Sequence, residues 1–199
     1  MPDLAPPTLA AVGPFAGMVL PQVAGLRVRT VEPEARFALR LRPAGIAPAE
    51  AALSVAMPTT VGATSRAGGC AVLSLGPDEW RIVVTPAEAP AIVAAFAGLG
   101  VPFALVDVSD REAALELDGP LVEAVLGADC PLDVSLDAFP VGRATRSLYG
   151  KASVLLWRLD ADCVRIECGR SFAPYLLGRL GLAVAHVAAL ARRDAALRP

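Results

Sequence analysis

Residues 75–90 read LGPDEWRIVVTPAEAP, and 84 positions later residues 159–174 read LDADCVRIECGRSFAP. Without a gap, Leu75 falls on Leu159, Asp78 on Asp162, Arg81-Ile82 on Arg165-Ile166 and Ala89-Pro90 on Ala173-Pro174. Each copy runs an apolar strand into a polar turn, returns a second strand and then starts a helix. The turns, Gly76-Pro77-Asp78 and Asp160-Ala161-Asp162, carry the residues that turn chemistry favours. Matches that agree with the order of the elements point to a duplicated supersecondary unit.

Working outward, the first copy begins at Arg36–Arg42, where Phe37, Leu39 and Leu41 alternate with Arg36, Ala38, Arg40 and Arg42 as in a strand with one polar face. Pro48 opens a short helix over 47–56, and Pro58 helps to end it. Residues 59–69 are small and polar and read as a loop. Cys70–Leu75 and Trp80–Val84 form the hairpin. Ile92, Val93 and Phe96 mark a helix over 87–97 that stops near Gly98. Thr85 and Glu88 have capping-box spacing, but Pro90 moves the expected start to about Ala87. Phe103–Val108 is the last strand. The order β-α-β-β-α-β is the ferredoxin-like, split βαβ arrangement.

The second copy repeats it. Arg111–Leu117 is a strand, and Asp118-Gly119-Pro120 leads into a helix whose stripe is Leu121, Val122, Val125 and Leu126, ended by Gly127. An insertion follows at 128–142, then an added strand at Arg143–Tyr149. The hairpin is Val154–Leu159 with Val164–Cys168, and Ser171 caps a helix running to about Leu180. The expected fold class is therefore α+β, with two tandem ferredoxin-like units, 24–109 and 110–199, in one compact duplicated domain. Ahead of them, residues 1–23 form an extended Pro/Ala/Gly arm whose Phe15, Met18, Val19 and Leu20 could bind a partner surface.

Composition narrows the function classes. The 199 residues are 55% hydrophobic and carry a net charge of −2, with no basic patch that argues for nucleic acid. A spanning helix needs ~20 continuous apolar residues. The longest uncharged stretch, Ala89–Val106, is cut by Gly98, Gly100 and Pro102, so no membrane span is expected. No basic segment precedes the first apolar residues, and no secretory signal is read there. Cys70, Cys130, Cys163 and Cys168 contain no C-x-x-C pair and lie far from the one histidine, which argues against zinc and for reduced thiols in the cytoplasm.

Neither H-E-x-x-H nor G-x-S-x-G occurs, and Gly98-Leu99-Gly100 follows a helix, the wrong context for a dinucleotide. His186 sits in LAVAHVAAL with no residue evident to orient it as a base, so a core or interface role is expected. Asp107 and Asp110 flank Ser109 as either a carboxylate pair or a capped junction, and the junction is favoured. Trp80 and Trp157 belong to the hairpins, where burial is usual. Either could instead anchor a protein interface, where Trp and Arg are enriched. Arg143, Arg146, Arg158 and Arg170 are either solvated strand faces or a patch that grips an acidic partner or an anionic ligand. No catalytic, cofactor-binding or metal-binding residue is expected, and a partner interface is expected at Trp80, Arg143, Trp157 and Arg170.

Several motifs occur in a fixed order. They are L-G-P-D-E-W at Leu75–Trp80, D-V-S at Asp107–Ser109, L-D-G-P at Leu117–Pro120, C-P-L-D at Cys130–Asp133 and F-P-x-G-R at Phe139–Arg143. Tyr149-Gly150-Lys151, L-L-W-R at Leu155–Arg158 and R-S-F-A-x-Y-L at Arg170–Leu176 complete the set. Together, over about residues 34–181, they resemble the gamma subunits of heterotetrameric sarcosine oxidases, with Asp110 where a histidine would be expected after D-V-S. The resemblance implies a fold similar to the folate-binding domain of the glycine-cleavage aminomethyltransferases. It also implies a non-catalytic subunit that supports the alpha subunit while the complex demethylates sarcosine to glycine, yielding hydrogen peroxide and a one-carbon unit. FAD, FMN, NAD, tetrahydrofolate and zinc are expected on the alpha, beta and delta partners, and none on this chain. The alternatives are a folate-binding, aminomethyltransferase-like protein acting on its own and a stand-alone interaction module. Each sheet has one helix-free face that must pack on its twin or on a partner, so self-association is expected of the chain alone.

Overall fold

Alternating apolar residues build the strands, and their order in space explains the repeat. The computed structural model describes residues 12–196. The strands are β1 (Gln22–Val23), β2 (Leu26–Thr30), β3 (Ala35–Leu41), β4 (Thr64–Ala67), β5 (Cys70–Gly76) and β6 (Glu79–Val84), then β7 (Phe103–Asp107), β8 (Glu112–Asp118), β9 (Ala144–Tyr149), β10 (Ala152–Asp160) and β11 (Cys163–Gly169). The helices are α1 (Ile46–Leu53), α2 (Ala89–Ala97), α3 (Val122–Gly127) and α4 (Ala173–Ala196). Two antiparallel sheets result, ordered β4-β5-β6-β3-β7 and β1-β2-β8-β11-β10-β9.

The first sheet is a ferredoxin-like unit closed by its own chain: β3 lies between β6 and β7, with α1 and α2 on one face. The second unit, β8-α3-β10-β11-α4, takes its fourth strand from elsewhere. The slot beside β8 holds β2, in the register Arg27↔Asp118 to Thr30↔Leu115. The sequence pattern placed these residues with the first unit. Their pairing follows from their own alternation: Leu26 and Val28 enter the second core, while Arg27 and Arg29 face out and Arg29 pairs with Glu116. Gly119 permits the close approach. At φ 134 a Cβ there would lie 2.4 Å from the Gly25 carbonyl oxygen, whereas Gly25 instead accepts a hydrogen bond from Leu121 N–H.

Three other expectations shift. The polar loop 59–69 contains β4, an edge strand pairing Thr64 with Leu73 and Ala67 with Cys70; a strand with solvent on its open side needs no apolar run. Beyond Leu180, α4 continues through Gly181 to Ala196, because Leu176, Leu177, Leu180, Ala183, Val184, Val187 and Ala188 sustain one buried stripe over both Gly178 and Gly181. Packing along that stripe outweighs the ~1 kcal/mol that each glycine costs a helix. Finally, α2 starts at Ala89, and the Thr85–Glu88 bonds form in the preceding turn, where Glu88 accepts from Thr85 N–H and Oγ1.

Helices cover one face of each sheet and form two cores, one around Phe37, Leu39, Ile82 and Phe96, the other around Leu115, Leu126, Ile166 and Leu180. Each such fully buried side chain contributes roughly 1.5–3 kcal/mol. The helix-free faces meet each other, and Ala71, Leu73 and Val83 pack on Ala144, Leu155 and Trp157. Of the two expected alternatives, twin or partner, these faces take the first. The arm also packs on its own chain: Phe15 is buried, and Met18 and Leu20 pack on the second core, while Val19 is exposed. Residues 1–11 of the arm and 197–199 of the tail lie outside the described residues. By length and composition α4 could cross a membrane, but its apolar stripe is occupied by the second core.

Candidate functional site

The layer between the sheets is half apolar and half ionic. Arg81 on β6 and Arg165 on β11, the residues matched by the repeat, both reach Glu167, which is 3% exposed. Arg165 Nη2 lies 2.5 Å from Glu167 Oε1. Arg81 Nη1 and Arg36 Nε stand 3.6 and 3.7 Å from Oε2, distances of ion pairing rather than hydrogen bonding. Arg81 also grips Glu112 through both terminal nitrogens, and Arg165 grips Glu34 in the same way. Three guanidinium groups thus face three carboxylates. Burial opposes ionisation of Glu112, but the Arg81 fork overcomes it and holds the carboxyl below its ordinary range. For Arg165, burial favours loss of the proton, and Glu167 and Glu34 more than reverse that.

At one end of this layer the sheets part. A cleft of about 950 Å³ opens there, lined by Arg81, Arg111, Glu112, Arg146, Lys151 and Arg170, with Leu155 and Phe172 as apolar wall. The cations come from separate elements: β6, the turn before β8, β9, the β9–β10 turn and the β11–α4 junction. Arg146 reaches across to Glu79 on the other sheet through both terminal nitrogens. That hydrogen bond is the main reason the Glu79 carboxyl is held below its usual range. The arrangement can bind and orient an anion. It offers no paired acid and base, and among the described residues no group of three or more His, Cys, Asp and Glu could hold a metal ion.

Of the residues expected at a partner interface, Trp80 and Trp157 are 2% and 3% exposed and lie inside the chain. Trp80 Nε1 donates to the Pro58 carbonyl at 2.7 Å. Trp157 packs between the sheets with the Arg66 and Arg165 guanidinium carbons 5.0 and 5.8 Å from its ring centroid. It does anchor an interface, but one between the halves of its own chain. Arg143 enters β9 beside Gly62, where Ala63 and Arg143 bridge the two sheets. Arg158, fully buried, donates to Val134 O and Ala161 O and reaches Glu123, so it pins the insertion instead of joining a patch. Only Arg146 and Arg170 of the four arginines share the cleft. Sequence reasoning missed Arg81, Arg111 and Lys151. An arginine standing at the same place in both copies of an apolar hairpin was the signal available for the first.

His186 is exposed on α4, not in the core. The Asp107–Ser109 junction is a capped turn: Asp107 Oδ1 accepts from Ser109 N–H at 2.9 Å and from its hydroxyl at 2.5 Å, and Arg36 N–H donates to Ser109 Oγ. The four cysteines are free. Burial pushes the Cys70 thiol up to about 11 and that of Cys168 to about 12, which leaves little thiolate at neutral pH.

A protein-family model described as sarcosine oxidase, gamma subunit family, matches residues 40–186. The chain belongs to the sarcosine oxidase gamma subunit family. It is 35% identical over 168 residues to the gamma subunit from Corynebacterium sp. strain U-96, covering 80% of this chain and 81% of that one. A second relative, from an Arthrobacter species, is 40% identical over 118 residues, and the match spans 57% of its length. Among solved structures, the heterotetrameric sarcosine oxidase from Corynebacterium sp. U-96, in complex with pyrrole 2-carboxylate, contains a chain with a TM-score of 0.80 at 29% identity. That match covers 89% of this chain and 96% of the other. The glycine-cleavage aminomethyltransferase T from Bartonella henselae shares the fold, with a TM-score of 0.60 at 14% identity over 78% of this chain and 45% of its own.

In this gamma-family chain the motifs that carried the resemblance sit at junctions of the scaffold. L-D-G-P holds the β1–β2 hairpin against β8, F-P-x-G-R returns the insertion to β9, and Tyr149 buries its hydroxyl on the Val125 carbonyl. Tyr175 OH accepts from Lys151 N–H at 3.0 Å, tying the β9–β10 turn to α4. They place elements against one another.

Proposed function

We propose that this chain is the non-catalytic gamma subunit of a heterotetrameric sarcosine oxidase. It supports the alpha subunit, with beta and delta subunits completing the assembly, in the oxidative demethylation of sarcosine to glycine with release of hydrogen peroxide and a one-carbon unit. FAD, FMN, NAD, tetrahydrofolate and zinc reside on the partners in this reading, and the cytoplasm is its setting, consistent with four free thiols. The observation that carries it is the likeness to a chain of the solved heterotetrameric enzyme over 89% of this one. The chain's own contribution is rigidity: two cores and an ionic layer fix the outer surfaces relative to each other. Two such surfaces are apolar enough to meet a partner. One is the outer face of α4 with Phe172, Tyr175, Leu182 and Leu190, and the other is the open edge of β7 with Phe103 and Val106.

The test is co-expression with alpha, beta and delta subunits, affinity capture through a tag on this chain, and cross-linking of the captured material. The expected result is a stoichiometric four-subunit complex with oxidase activity towards sarcosine and cross-links from α4 or β7 to alpha. A tagged chain that captures none of the three, beside an alpha–beta–delta complex of full activity, overturns the proposal.

A further inference from the structure

We propose that the cleft at the end of the inter-sheet layer is a binding site for a small multivalent oxyanion, a molecule with two or more carboxylate or phosphate groups. The charge balance of the lining carries this. Glu112, the acidic residue of the wall, is engaged by Arg81 in a two-point ion pair, and Arg146 is engaged by Glu79. That leaves Arg111, Lys151 and Arg170 in surplus, Arg111 acting on Glu112 through its charge alone. The Arg111 and Lys151 side chains make no hydrogen bond or salt bridge among the described residues. Among the described residues, Arg170 meets the fully exposed Asp110, at 3.8 Å, and the Val12 carbonyl. Lys151, moreover, is the one lysine among 18 basic residues, and it stands in this cleft.

The three exposed cations at one opening repel one another only weakly through water, and an anion among them turns that repulsion into attraction. The wall adds donors of its own. Gly169 precedes the turn Arg170–Phe172, which no side chain caps, and the 24-residue α4 starts directly after it at Ala173, so the helix N-terminus lies next to the cleft wall. Ser153 and Ser171 line the same space, and Leu155 and Phe172 give it an apolar side. The volume is that of a small-molecule site. Guanidinium forks and an ammonium at separated points favour a ligand whose negative groups are themselves separated, over a single anion.

This inference does not depend on the subunit assignment, and its test separates the two. Inorganic pyrophosphate and citrate, probing the phosphate and carboxylate forms, are titrated by calorimetry into the full chain at low ionic strength and then into the co-purified complex. The expected result is one site per chain for at least one probe, weakened about tenfold or more in the double variant Arg111→Gln/Lys151→Gln and also in Arg170→Gln. Arg192→Gln, a remote exposed control on α4, is expected to bind as the unmodified chain does, with all variants melting within a few degrees of it. Absence of binding by either probe overturns the proposal, as does equal binding by the double variant or equal loss in the control. Binding to the free chain that disappears in the complex also overturns it, and shows instead that a partner's acidic segment fills the cleft.

Discussion

Glu167 stands where the first copy of the repeat has Val83, and three arginines converge on its carboxylate. Removing one member of a buried ionic group leaves its partners uncompensated, at a cost of about 3–5 kcal/mol. Glu167→Gln is therefore expected to lower unfolding stability by that amount, read as a shift in the urea midpoint with an unchanged slope. Exchanging the group for apolar side chains, Arg36→Met and Arg165→Met with Glu34→Leu and Glu167→Met so that Arg81 keeps Glu112 and no buried charge is left alone, is expected to recover most of the loss. Gly119 is a second residue with a defined limit. Gly119→Ala forces an L residue to φ 134 and drives its methyl into the Gly25 carbonyl, so a loss of about 1–3 kcal/mol or more is expected in thermal melts. The raised thiols of Cys70 and Cys168 predict a third result: iodoacetamide at pH 7 should alkylate neither until denaturant is added, as peptide mass spectrometry would show.

At the scale of elements, the hairpins β5–β6 and β10–β11 were legible in the sequence, because alternation, turn residues and a second copy all agreed. The elements that were missed lack such local signals. Thr64–Ala67 is a strand because β5 offers it a ladder, and α4 continues past two glycines because a core lies beneath it. Insertion 128–142 has no regular structure, and its order depends on Arg158, whose guanidinium carbon also lies 5.7 Å from the Phe139 ring centroid. Replacing that residue, as Arg158→Met, removes the donors that hold Val134 and Ala161. Faster amide exchange confined to 128–142 and the 160–162 turn is the expected outcome. Unchanged protection there would mean that Phe139 and Val134 hold the insertion by packing alone.

For the whole molecule, the duplication and its fold class were legible, but the way the halves share strands was not. The pattern of Leu26–Thr30 announces a strand, yet nothing in it says which sheet receives it. The cleft was half legible: Arg146 and Arg170 were among the arginines singled out, whereas Arg111 and Lys151 come to it only through folding. The ionic layer also fixes the response to acid. Glu79 and Glu112 have depressed pKa values in the folded chain, so the stability they contribute is present above their unfolded values, near 4–4.5, and is lost as pH falls through the lower folded ones. Stability is expected to be flat with respect to these groups from pH 6 to 8 and to fall below about pH 4. Separation of the two sheets should be reported first, by Trp157 fluorescence at their junction.

The strand that β8 receives has a consequence for how the protein is made. On a ribosome adding ~5–20 residues per second, Leu26–Thr30 emerges several seconds before Glu112–Asp118, its partner in the ladder. The stretch 35–107 is synthesised in between and holds every strand of the first sheet, so that half can fold while the earlier strand waits. A waiting strand is a hazard, and Arg27 and Arg29 guard this one by placing charge at alternate positions until Asp118 and Glu116 arrive opposite them. The last half to be translated is thus completed by a strand made near the start, whose ladder partners lie 85 (Thr30↔Leu115) to 91 (Arg27↔Asp118) residues further along the chain.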